Sequence, residues 1–207
     1  MTRALLALVL TLVPWAAHAD RGELYTQVAL GPSLLGLADP VGGASHDTRP
    51  ALLADLVVYY GLTHSLYVGG VIHTAMTRDA AFRGVSYRQA DGSTPTGTLW
   101  VDSWSAGIGP LVAYRYDTGY RLAPIARLEL TASYHRQGNQ QFAYDGLAGV
   151  GVNLQTSSDI ALSARLLGMA EYRLSDRFIA SLGVAVRRSL GAAAWEIQLP
   201  LQVGAIW

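Results

Sequence analysis

The residues able to do chemistry in this 207-residue chain are spaced by two. Ser133, His135 and Glu129 share one face of an alternating run. A strand sets alternate residues about 6 to 7 Å apart, so Ser133 and His135 would be neighbours. With an acid beside them they would resemble a hydrolase's nucleophile and base. The same face also carries Arg127, and matching faces elsewhere carry Asp55, His73, Arg115, Arg165, Glu171, Arg173, Arg187 and Glu196. Both signs of charge alternating with apolar residues point to an enclosed interior where arginines and carboxylates pair, because buried charge is tolerated only when paired. Ser133 and His135 then read as hydrogen-bonding members of that interior, and His73 as a packed polar residue. His46 and His64 fall in connections without a partner at metal spacing, and His18 lies near the N-terminus. Cysteine is absent, as are the zinc-protease, P-loop and dinucleotide fingerprints. The Gly-x-Gly stretches at Gly107 to Gly109 and Gly149 to Gly151 open no recognisable helix and read as strand bends. No catalytic, cofactor or metal site is expected.

The elements that position these residues follow from composition. Met1-Thr2-Arg3, an apolar run from Ala4 to Trp15, and Ala17-His18-Ala19 make a secretory signal peptide over residues 1–19. The mature domain is expected over 20–207. About half of the residues are apolar, yet no later run approaches the 18 or so needed for a helical membrane span. All 15 basic residues are arginine, and the zero net charge, with no basic excess, argues against a nucleic-acid binder. What remains is apolar and polar residues alternating over segments of about 10 to 15, separated by turn signals, the pattern of a transmembrane β-barrel.

Eight strands are predicted: Glu23 to about Leu35, Ala51 to Leu62, Leu66 to Thr77, Trp100 to Tyr116, Leu122 to His135, Ile160 to Leu174, Phe178 to Ser189 and Glu196 to Trp207. Each turns an apolar face outward and places the charged set inward. Phe142 to Leu154 also alternates and would make a ninth strand, whereas an up-and-down barrel with both termini on one side needs an even number. Either this segment belongs to a loop, leaving eight, or it spans and a tenth strand hides in Arg78 to Gln89. Eight is preferred, with Phe82 to Gln89 continuing its neighbours as a raised hairpin. Trp100, Trp104, Tyr114, Tyr116, Tyr134, Tyr172 and Trp207 fall near strand ends. They read as interfacial girdles rather than a carbohydrate platform.

The closing stretch EIQLPLQVGAIW has an apolar face ending on a terminal Trp207, and tight links such as YGLTHS and RLSDR alternate with longer ones. Together with the signal peptide, these features resemble the small outer-membrane β-barrel superfamily, similar to OmpA-type and OmpW-type barrels. The resemblance implies an all-β, antiparallel up-and-down barrel of eight strands, ten being the alternative, with short periplasmic turns and longer extracellular loops. It implies Sec-type export to the outer membrane of a Gram-negative bacterium and contact with outer-membrane lipid and lipopolysaccharide. It also implies assembly by the barrel machinery through the C-terminal strand, in a monomer that binds no nucleic acid. The expected role is non-enzymatic: structural, adhesive or loop-mediated, around a largely closed, salt-bridged lumen. The loop candidates are Ala38 to Arg49, Arg78 to Leu99 and Gln137 to Ser158. A narrow, porin-like passage for small or apolar solutes is the first alternative. A lipid A-modifying enzyme, requiring a Ser/His pair at the outer rim, is the second.

Overall fold

The computed structural model describes residues 22–38, 46–89, 92–145, 151–190 and 194–207. The predicted signal peptide, and with it His18, lies outside them. Alternation at period two becomes strand throughout: β1 (Leu24–Ala38), β2 (His46–Gly61), β3 (Leu66–Ser86), β4 (Thr96–Arg115), β5 (Leu122–Tyr144), β6 (Gly151–Asn153), β7 (Ser157–Arg173), β8 (Phe178–Ser189), β9 (Trp195–Gln198) and β10 (Leu201–Ile206). The pairing is antiparallel, running β1-β2-β3-β4-β5-β7-β8, and both β9 and β10 pair with β8 on one side and β1 on the other. β9 and β10 are thus two halves of one closing strand, and the wall is a closed ring of eight strands. Closure leaves no unpaired edge, so wall backbone groups are satisfied within the sheet.

The closing strand is interrupted at Leu199-Pro200, where proline cannot donate to a ladder. The Leu199 N–H instead donates to the Pro32 carbonyl at 3.1 Å, and the Gly183 N–H to the Pro200 carbonyl at 3.2 Å. The kink presses on β1 at Gly31, where a Cβ would fall 2.3 Å from the Leu199 carbonyl oxygen.

Short links at 62–65, 116–121 and 174–177 share one end with both ends of the ring. There the Leu24 and Trp207 backbones exchange hydrogen bonds of 3.2 and 2.9 Å. Long excursions leave the other end. Along the wall, outward positions such as Leu30, Leu52, Ile108, Leu166, Leu182 and Val203 are exposed, and their neighbours in sequence face a filled interior.

β8 runs as expected from Phe178 to Ser189, but the wall is taller on the long-loop side than the sequence suggested. β2 begins at His46 rather than Ala51, β3 continues past Thr77 to Ser86, β4 begins at Thr96, and β5 passes His135 to reach Tyr144. Among the described residues, the loop candidates Arg78 to Leu99 and Gln137 to Ser158 are largely strand, as are residues 38 and 46–49 of the first candidate, whose remainder lies outside the described residues. Three single-residue bulges explain why this was hard to read. Asp79 (φ 54°), Gly84 (φ 68°) and Asn139 (φ 50°) each sit where the register slips by one. One extra residue reverses every side chain beyond it, so period-two reading fails across each bulge. Phe142 to Leu154 is divided between the top of β5 and β6, which pairs with β5 outside the ring and adds no ninth strand. Phe82 to Ser86 forms part of a raised β3–β4 hairpin, as expected, and the ten-stranded alternative is set aside.

Candidate functional site

The lumen is filled in three tiers. At the short-turn end, Tyr25 stacks on Tyr59 with ring centroids 4.9 Å apart, and both meet Tyr67 edge-on. The Gln27 Nε2 donates to the Tyr59 hydroxyl at 2.7 Å and to Glu171 at 3.3 Å. Glu171 also faces Arg115 at 3.3 Å, while Arg173 reaches Glu23 at 3.4 Å.

The middle tier is a continuous chain of charge. Arg165 Nη1 lies 2.7 Å from Asp55 and 3.2 Å from Glu129, whose other oxygen takes Arg127 Nε at 2.7 Å. Asp55 also holds His73 Nδ1 at 2.5 Å. His73 Nε2 lies 3.6 Å from Glu196, which lies 3.5 Å from Arg187. Arg187 then donates to Ser133 at 2.6 Å and Ser163 at 3.4 Å. The chain links β5, β7, β2, β3, β9 and β8 across the interior, and its charged members are all buried. Charge-assisted bonds of this kind are the stronger class and gain force away from water.

Above this tier the interior turns apolar. Leu35, Leu37, Phe82, Leu99, Val101 and Phe142 pack as one buried cluster, with Tyr87, Tyr144 and Leu154 against it. The bulges turn Phe82 and Phe142 inward. Two carboxylates pin this collar. Asp102 accepts from the backbone N–H of Asp79 at 3.1 Å and from Asn139 Nδ2 at 2.6 Å, so it holds two of the bulges. Asp47 accepts from Arg49 at 2.6 Å and from the Ala81 N–H at 2.7 Å, tying β2 to β3 above the point where their ladder ends at Leu52 and Met76. Partial burial raises the Asp47 carboxyl, but the hydrogen bonds from Arg49 and the Ala81 and Thr48 N–H groups outweigh it and hold the group below its ordinary value.

The residues expected to face inward all do so, and Asp55, His73, Arg115, Arg127, Glu129, Arg165, Glu171, Arg173, Arg187 and Glu196 take part in the contacts above. Ser133, His135 and Glu129 are not brought together as a catalytic set. Ser133 is held by Arg187 and Thr131, Glu129 by two arginines, and His135 Nε2 meets Ser189 Oγ at 3.2 Å. Ser189 was missed because it follows Arg187 at the end of its strand, and only side-chain reach across β7 brings it to His135. His64 lies in the 62–65 turn. Among the described residues no cluster of His, Asp and Glu is arranged to hold a metal.

Gly107 and Gly109 lie where β4 presses on β5: a Cβ would fall 2.5 Å from Ser133 Oγ and 1.9 Å from the Leu130 carbonyl, respectively. Gly149 is outside the described residues.

The aromatic residues sit on the outer surface in two groups. Trp100, Trp104 and Tyr134 lie toward the long-loop end, and Tyr114, Tyr116, Tyr172 and Trp207 at the short-turn end, all exposed except the half-buried Tyr114. From Trp104 to Tyr114, β4 climbs ten residues. At ~3.3 Å each and a tilt of ~40°, that spans ~25 Å, the height of an outer-membrane barrel's apolar band.

No family model matches the chain, and no curated protein matches it in sequence. Solved structures do resemble it. Ail, the attachment invasion locus protein of Yersinia pestis, aligns at 12% identity and a TM-score of 0.50, covering 91% of this chain and 100% of its own. Neisserial surface protein A aligns at 12% identity and a TM-score of 0.56, covering 89% of this chain and 99% of its own. At such identities the likeness is one of fold, and the closed ring of eight antiparallel strands with its filled lumen gives this chain the fold of the small outer-membrane β-barrels.

Proposed function

We propose that this chain is an integral protein of a bacterial outer membrane, a non-enzymatic barrel with a closed lumen that presents its long-loop end for attachment or another loop-mediated interaction. The observation that carries this reading is the charged tier. Arg165 joins Asp55 and Glu129 across the interior, and opening a solute path there would strand buried charges. The apolar outer band between two aromatic girdles supports a lipid-facing wall, since soluble proteins rarely expose apolar patches of that extent. The raised, bulged hairpins support an interaction role, as binding surfaces concentrate on segments presented by a rigid scaffold. A role in attachment also fits the name of the Yersinia protein with the same fold.

The test is single-channel recording of purified protein in planar bilayers, alongside fractionation of cells expressing the full chain. Absence of steady conductance and recovery in the outer-membrane fraction are expected. Sustained high conductance would overturn the closed lumen and favour passage of solutes. A second reading, acyl-ester chemistry, has one observation in its favour: Ser189 Oγ lies 3.2 Å from His135 Nε2 on the long-loop side of the lumen. Covalent labelling of Ser189 by a fluorophosphonate would support it.

A further inference from the structure

The outer surface of β3, β4 and β5 carries a polar cleft directly above an apolar groove. The cleft, about 360 Å³, is lined by Met76, Arg78, Asp102, Trp104, Arg136 and Asn139. The groove, about 300 Å³, is lined by Ala106, Ile108, Ala132, Tyr134 and Ile160. The two are continuous, because successive outward rungs of the β4–β5 ladder pair Trp104 with Arg136, Ala106 with Tyr134 and Ile108 with Ala132. Between them the Trp104 and Tyr134 rings meet at 5.9 Å, the girdle position where headgroup gives way to acyl chain.

Local structure makes the cleft cationic. Arg78 and Arg136 keep the outward phase of Met76 and Tyr134, and the bulges at Asp79 and Asn139 lie beside them. Asp102 keeps its negative charge, but its two oxygens are engaged by the Asp79 N–H and Asn139 and it forms no ion pair with either arginine, so two guanidiniums face one carboxylate in the lining. Arg78 and Arg136 are exposed, and among the described residues neither has an ion-pair partner. Below them, Ala106 and Ala132 are short side chains on a wall otherwise rich in leucine and valine, which is what leaves the groove.

We propose that this face is a docking site for a phosphate-bearing acyl lipid of the outer leaflet, with Arg78 and Arg136 holding the phosphate and the Ala106–Ala132 groove taking one acyl chain. The proposal rests on the wall being lipid-facing. Guanidinium pairs suit phosphate because their planar donors bond it bidentately, and a fixed groove below sets the depth of the chain.

The test uses the purified barrel in detergent micelles, titrated with bis-phosphorylated lipid A and followed by native mass spectrometry. Parallel titrations use dephosphorylated lipid A and inorganic phosphate. Arg78→Gln with Arg136→Gln should weaken lipid A binding by about tenfold or more, as expected for lost charge-assisted bonds. Ala132→Phe, which fills the groove without touching the arginines, should weaken lipid A while leaving inorganic phosphate unaffected. Arg121→Gln at the short-turn end should change nothing. Unaltered binding by the double variant, equal binding of the dephosphorylated lipid, or an equal loss with Arg121→Gln would each overturn the proposal. So would phosphate binding as tightly as the lipid. Because the barrel is in micelles, a negative result counts against this site, whereas failed outer-membrane fractionation counts against the compartment.

Discussion

The middle of the lumen and the collar above it are both enclosed by the same strands, yet they are held by opposite means. In the middle, strict alternation brings Asp55, Glu129, Arg165 and His73 inward, and the interior is filled by charge paired with charge. In the collar, three bulges turn Phe82, Val85 and Phe142 inward, and the interior is filled by apolar contact. A wall surrounded by lipid gains little from an apolar interior, because its outer face is already in an apolar medium. Polar bonds inside it are correspondingly useful for fixing one strand arrangement. On the proposed membrane placement the outer face above the girdle meets water, and an apolar interior there again gives the hydrophobic driving force of a soluble protein. On that placement the change of interior chemistry follows the change of solvent outside.

Breaking the charged tier should have the largest effect. Arg165→Met leaves Asp55 and Glu129 facing each other without their shared cation, and removing one partner of a buried ion pair costs about 3 to 5 kcal/mol. Urea unfolding in lipid vesicles, followed by tryptophan fluorescence, should show a lower midpoint. Adding Glu129→Gln should restore part of the loss. If Arg165→Met alone unfolds like the wild type, the tier does not hold the wall. Phe142→Ala comes next, since truncating a buried phenylalanine costs about 3 kcal/mol or more. Here the loss should be local. Hydrogen exchange should accelerate at 80–86 and 97–101 in the collar and remain unchanged at 66–76 in the wall. A fall in the whole barrel's unfolding midpoint would show that collar and wall fold as one unit.

The two regions also differ in how much of them the sequence discloses. Wall faces could be read residue by residue: the inward set from Asp55 to Glu196 and the outward set ending on Trp207 stand where alternation puts them. The partners within that set could not be read, because pairing such as Arg165 with Asp55 joins strands far apart in the chain and depends on the stagger of the ring. In the collar, alternation misleads. Asp79 and Asn139 are ordinary polar residues, and nothing local distinguishes a polar residue that adds one position to a strand from one in a loop. The segments around them therefore read as loops. Gly84 carried the same ambiguity. The Arg78 and Arg136 cleft was hidden for a related reason: both arginines keep the outward phase of Met76 and Tyr134, but they lie just past the predicted strand ends at Thr77 and His135, in segments that read as loops.

A third substitution tests whether the bulges are pinned. Asp102→Ala removes an acceptor from the Asp79 N–H and from Asn139, and loss of hydrogen bonds to a charged group costs about 1.5 to 3 kcal/mol. The expected signature is faster exchange at 77–80 and 138–140 with the wall unaffected. Unchanged protection there would mean that the register slips are fixed by the apolar packing alone.

The smallest effect should come from pH acting on Asp47. Its folded carboxyl lies below the ordinary value of 3.8, so its contribution is fully present above that value and is lost as pH falls through the folded value. Asp47 and Arg49 are partly exposed, so solvent screens the pair and the loss should be modest. Acidification from pH 5 to about pH 3 should loosen β2 against β3 near Ala81, read as faster proteolysis or exchange around 46–50. The Asp47→Asn variant should show that loosening already at pH 5 and little further change below it. Identical pH profiles for variant and wild type would assign the join between β2 and the raised hairpin to the Thr77 hydroxyl's bond to the Pro50 carbonyl and to the apolar cluster instead.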